Sequence, residues 1–76
     1  PPPPTDIELP FPAYIPEEYI PQMDLRLAFY RQLADTDTPE DVPPLEEELK
    51  DRFGALPKEV KNLLEGVKLK LWLRDA

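Results

Sequence analysis

Glu47, Glu48 and Asp51 are the side chains here whose type and spacing could do chemistry. They fall in the segment Leu45-Glu46-Glu47-Glu48-Leu49-Lys50-Asp51-Arg52-Phe53-Gly54-Ala55-Leu56-Pro57. At about 100° per residue, Leu45, Leu49 and Phe53 fall within roughly 80° of one another, a stripe fit for a core. Glu47, Asp51 and Glu48 lie roughly 200–300° round from Leu45, away from that stripe. Carboxylates fixed on one side of a helix accept charge-assisted hydrogen bonds from arginine, often two at once. The chemistry offered is docking on a basic surface. Glu48 and Arg52 also stand four apart in the favourable order, and an exposed pair of that kind contributes only about 0.3–0.5 kcal/mol. A solvated face is the plainer reading of the same residues.

Other chemistries fall away. Glu46, Glu47 and Glu48 are consecutive and point about 100° apart on a helix, so they cannot converge on one ion. The 76 residues contain no Cys, no His and no Ser. That removes disulfides, the usual zinc ligand sets, the ordinary general base and the two commonest nucleophiles. No catalytic, metal-binding or cofactor-binding residue is assigned, and an enzyme built on the remaining Thr, Tyr, Lys and carboxylates ranks last. Lack of Cys fits a reducing compartment. No apolar stretch approaches a membrane span, and no signal-peptide pattern opens the chain.

The net charge is −7, unevenly spread: residues 1–56 carry thirteen acidic and four basic side chains, residues 57–76 three and five. Such a surface repels phosphate backbones, so direct nucleic-acid binding is disfavoured. The basic positions Lys58, Lys61, Lys68, Lys70 and Arg74 are too sparse to reverse that.

Positioning falls to about three helices behind an extended arm. Eight of the twelve prolines lie within residues 1–21. Pro1–Pro4 read as a polyproline-II lead-in or linker, and Thr5–Leu9 as a short edge strand limited by Pro10 and Pro12. The doubled Tyr14-Ile15-Pro16 and Tyr19-Ile20-Pro21 offers apolar anchors on a non-helical backbone, a linker packed against the body. A proline-rich ligand is the sharper alternative, without basic flanks to support it.

The first helix is expected from Gln22 to about Asp35, with Met23, Leu27, Tyr30, Leu33 and Ala34 in one sector and Leu25 and Phe29 widening it. Such a helix is buried on two sides. Arg26 lies inside that sector, where it snorkels or meets a carboxylate. Thr38 is the expected N-cap, with Pro39 at the first helical position. One turn over Pro39–Val42 then breaks at Pro43-Pro44, and the acidic helix runs from about Pro44 to Phe53. Gly54 closes it in the left-handed conformation, and Pro57 opens the third helix, to about Arg74. Val60, Leu63, Leu64, Val67 and Leu71 form the core stripe of that third helix. Leu69, Trp72 and Leu73 fall off the stripe and need cover from outside this sequence. Residues 67–73 also alternate, which keeps a strand open there, although the unbroken pattern from Pro57 favours helix. The fold class is a mainly α fragment. The opening prolines and the apolar run at the end are expected of a piece of a longer chain.

In order along the chain, several stretches resemble the first half of the C-terminal TRCF domain of bacterial transcription-repair coupling factors (Mfd). They are Ile7-Glu8-Leu9, Ala13 to Pro21, Leu25-Arg26-Leu27, Tyr30-Arg31, Leu33-Ala34, Glu48-Leu49, Asp51-Arg52-Phe53-Gly54, Leu56-Pro57 and Asn62-Leu63-Leu64. Two positions depart from the family pattern. Gln22 stands where an acidic cap is usual, and Pro43-Pro44 interrupt a usually unbroken Glu-rich helix. The resemblance divides the chain into a Pro-rich linker, 1–4, and the N-terminal half of a larger α+β regulatory domain, 5–76. It implies a bacterial, cytoplasmic parent: an ATP-driven DNA translocase that displaces stalled RNA polymerase and recruits UvrA, with ATP and Mg in its motor domains. It also implies autoinhibition, in which this domain packs on an intramolecular UvrB-like module and hides the UvrA-binding surface. Glu48 and Asp51 are the matching contact residues; Glu47 joins them by its place on the same face. Arg26, Tyr30, Leu49, Arg52, Phe53 and Gly54 are the candidate structural residues. A free-standing acidic module docked on another basic protein is the alternative.

Overall fold

The computed structural model describes residues 11–75. Helix α1 covers Met23–Ala34, a single 3-10 turn over Pro39–Asp41 leads into α2 over Val42–Phe53, and α3 spans Lys58–Asp75. No strand occurs among the described residues. The expected lead-in at Pro1–Pro4 and edge strand at Thr5–Leu9 lie outside them. Residues 67–73 are helical.

The apolar stripes predict the core well. Leu49 of α2 and Val60, Leu64 and Leu71 of α3 are buried, with Leu45, Phe53, Leu63 and Val67 packed around them. Each fully buried aliphatic side chain of this size contributes about 1.5–3 kcal/mol. Ile15 and Ile20 of the Tyr-Ile-Pro repeat join the same core, so the arm is packed against the body. Its backbone is less extended than expected. Pro16 O accepts from the N–H groups of both Tyr19 and Ile20, one helical-type turn that Pro21 ends.

Helix α2 starts at Val42, earlier than Pro44, and passes through Pro43-Pro44 without a break. The reason is positional. The first N–H groups of a helix have no intrahelical acceptor, so prolines in its first turn forfeit nothing. Val42 itself is fully buried. Thr38 does not cap through its side chain; its carbonyl accepts from Asp41 N–H instead. Pro57 sits just before α3, where its carbonyl accepts from Val60 and Lys61.

Gly54 differs in a more telling way. Its φ is 96° and its ψ −168°, positive φ as expected but outside the left-handed helical well. That corner of conformational space is essentially reserved for glycine. It turns the chain out of α2 while Gly54 N–H still donates to Lys50 O at 3.0 Å.

Helix α1 is buried on one side, not two. Phe29 and Leu33 face the core with Leu25 and Tyr30 beside them, whereas Met23 and Leu27 are 65% and 56% exposed. The remaining described elements cover only that one stripe. Arg26 meets no carboxylate among the described residues: its Nη1 donates to the carbonyls of Ile20 and Pro21 at 2.7 and 3.0 Å. It ties the arm to the first turn of α1, whose N-cap Gln22 makes no side-chain cap. Leu69, Trp72 and Leu73 are exposed on α3, as their wheel positions require.

Candidate protein-interaction surface

The acidic residues of α2 project from a helix whose opposite side is fixed by Leu49, only 1% exposed. Glu47 is open, its side chain 74% exposed, and Glu48 is half-buried. The surface is internally organised. Lys50 Nζ lies 3.4 Å from Glu46 Oε2 and 3.4 Å from Glu47 Oε2. These two neighbours hold the Lys50 ammonium above its ordinary range, first through the hydrogen bond to Glu46 and then through the charge of Glu47.

Glu48 accepts from Arg52 Nη1 at 3.1 Å. The same guanidinium stands over the Phe29 ring at 5.5 Å and over the Phe53 ring at 5.1 Å. Arg52 is thereby fixed by one carboxylate and two ring faces. It orients Glu48 yet leaves the second carboxylate oxygen for another donor. Asp51 is exposed and makes no ion pair among the described residues. The three predicted interface residues therefore share a helix but not a state. Asp51 is unpaired, Glu47 shares a lysine, and Glu48 is held by Arg52.

The C-terminal end of α2 is fixed by contacts that helical periodicity does not display. Tyr19 hydroxyl donates to Gly54 O at 2.7 Å and lies 3.1 Å from Leu49 O. Its ring packs against Phe53 at 5.8 Å between centroids, and Phe29 meets Phe53 edge-on at 6.0 Å. Burial pushes the Tyr19 phenol above its usual range. The arm is pinned at two further points. Tyr30 hydroxyl accepts from Ile15 N–H at 2.7 Å, and Asn62 Nδ2 donates to Pro12 O at 2.9 Å. Neither Tyr19 nor Asn62 is among the candidate structural residues; Asn62 stands only within a stretch that resembles the family. Only the repeat containing Tyr19 signalled an anchor.

Among the described residues, no group of three or more carboxylates is arranged to hold a metal ion. No described helix is long and apolar enough to cross a membrane.

Residues 9–76 match the sequence model of the TRCF domain. The chain belongs to the TRCF domain family. It is 41% identical over 70 residues to a transcription-repair-coupling factor of Myxococcus xanthus and 42% identical over 67 residues to one of Haemophilus influenzae. Those alignments take in 92% and 88% of the chain but 6% of each relative, so this TRCF segment spans a small part of their length. A crystal structure of the C-terminal domain of a transcription-repair coupling factor superposes with a TM-score of 0.80 at 35% identity. The superposition covers 86% of this chain and 40% of that one. The helical arrangement is thus that of a TRCF domain, and the chain is a fragment of the larger fold.

Proposed function

We propose that this TRCF segment is a regulatory, autoinhibitory element of a transcription-repair coupling factor. The parent is read as a bacterial, cytoplasmic, ATP-dependent DNA translocase that displaces stalled RNA polymerase and recruits excision repair. ATP and Mg belong to its motor domains. The acidic side of α2 docks on the UvrB-like module of the same polypeptide and masks the surface that UvrA binds. Asp51 carries the reading: an exposed carboxylate, unpaired among the described residues, on a helix whose other side is buried at Leu49. Arg52 supports it by presenting Glu48 in a fixed orientation.

The energetics suit a clamp. Each charge-assisted hydrogen bond to a partly desolvated carboxylate contributes about 1.5–3 kcal/mol. Tethering within one polypeptide supplies an effective concentration of roughly millimolar, so two or three such bonds keep the pair closed. Opening it almost fully requires about 5.5 kcal/mol of differential binding, within reach of a large partner complex. The test uses the whole factor carrying Glu48→Ala and Asp51→Ala. Without polymerase it should bind UvrA more tightly and hydrolyse ATP faster than the unaltered factor. UvrA affinity equal to that of the unaltered factor refutes the clamp.

A further inference from the structure

A second surface feature shares no residue with the acidic side of α2. Between the arm and the start of α3 lies an open notch of about 290 Å³, lined by Tyr14, Pro16, Glu18, Tyr19, Pro57 and Glu59. Tyr14 is 47% exposed although its neighbour Ile15 is buried, so packing alone does not explain this ring. The Tyr14 main chain is held beside the notch, because its N–H donates to Glu59 O at 3.2 Å. Tyr19 also lines the notch, with its hydroxyl donating to Gly54 O and its ring packed against Phe53. Glu18 and Glu59 form no ion pair among the described residues.

The geometry points to a receptor for an arginine side chain carried by a basic protein partner. Aromatic walls attract a cation through the negative face of each ring. Carboxylates at the rim accept a guanidinium in paired hydrogen bonds. Both features repel an anion, and the net charge of −7 draws cations towards the chain even with Lys58 next to Glu59 in the sequence. Arginine fits better than lysine, since its flat head both stacks on a ring and bonds in a fork. The prolines supply rigid apolar sides that hold the slot open.

The test is an NMR titration of the full 15N-labelled chain with N-acetyl-arginine amide and with its uncharged isostere, N-acetyl-citrulline amide. Arginine should shift the amides of Tyr14, Glu18, Tyr19 and Glu59 in a saturable way, and citrulline should bind at least roughly fivefold more weakly. Glu18→Gln with Glu59→Gln, and separately Tyr14→Leu, should each weaken arginine binding by roughly fivefold or more. Tyr14 and Glu18 are exposed and Glu59 is half-buried, so circular dichroism should show the helices unchanged. Equal responses to arginine and citrulline overturn the proposal. So does a saturable response to a neutral proline-rich peptide with none to arginine. Shifts confined to Glu47, Glu48 and Asp51 also overturn it while leaving the α2 clamp standing. Arginine binding in the notch, combined with unchanged UvrA affinity in the α2 variants, supports the notch and removes the clamp.

Discussion

Replacing Tyr30 by Phe removes one oxygen and keeps the ring. That oxygen accepts from Ile15 N–H at 2.7 Å, and Ile15 is only 4% exposed. The donor is left in the core with no acceptor and little access for water. An unmet buried donor costs about 1–3 kcal/mol, more than the net worth of an ordinary hydrogen bond. For a domain of this length the fall in Tm is roughly 4–8 °C for each kcal/mol lost. Tyr19→Phe is the matched comparison, since it too loses only a hydroxyl. There the abandoned group is chiefly Gly54 O, at an exposed residue that water reaches, so the cost is about 0.5–1.5 kcal/mol. Urea unfolding of both variants, followed by helix circular dichroism, gives the two differences directly. A Tyr30→Phe change within about 0.5 kcal/mol of wild type, or one smaller than that of Tyr19→Phe, refutes the reasoning.

Two further outcomes follow from the same geometry. Gly54→Ala should lower the urea midpoint by the equivalent of about 1–3 kcal/mol, although a methyl group there meets nothing within 4 Å, because φ of 96° is what an alanine resists. Stability should also fall as pH rises above 10, measured by chemical unfolding at stepped pH. Tyr19 and Lys50 both have folded-state pKa values raised above the ordinary values of 10.0 and 10.5 for their side chains. Each therefore binds its proton more tightly when folded, so its contribution is complete below the unfolded value and is lost as pH climbs through the folded one. Tyr19→Phe should flatten the lower part of that decline.

What the sequence made legible was whatever repeats along a helix. Leu45, Leu49 and Phe53, and Val60, Leu64 and Leu71, take the sides their spacing assigns, and the acidic residues take the opposite one. The Glu48–Arg52 pair is equally local and formed as expected. Whether a proline interrupts a helix depends on where in the helix it stands. At Pro43-Pro44 the answer was the first turn, where nothing is lost. Helix α1 misled because Met23 and Leu27 advertise a partner that the described residues do not supply. The hydroxyl of Tyr19, the amide of Asn62 and the guanidinium of Arg26 all bind main-chain carbonyls. Any residue presents a carbonyl, so no pattern of side chains announces such partners. For the interface, the sequence placed Glu47, Glu48 and Asp51 on one side but could not tell which was already engaged.

The bonds that hold the arm join positions far apart: 15 residues for Tyr30 and Ile15, 35 for Tyr19 and Gly54, 50 for Asn62 and Pro12. Closing loops of that width costs chain entropy, which only packing of the joined segments offsets. The arm also carries Ile15 and Ile20 into the core, 4% and 0% exposed, so an opening that releases it uncovers apolar surface and is costly. When it peels, the cap over Leu49 and Gly54 leaves with it, and the terminal turn of α2 is free to fray.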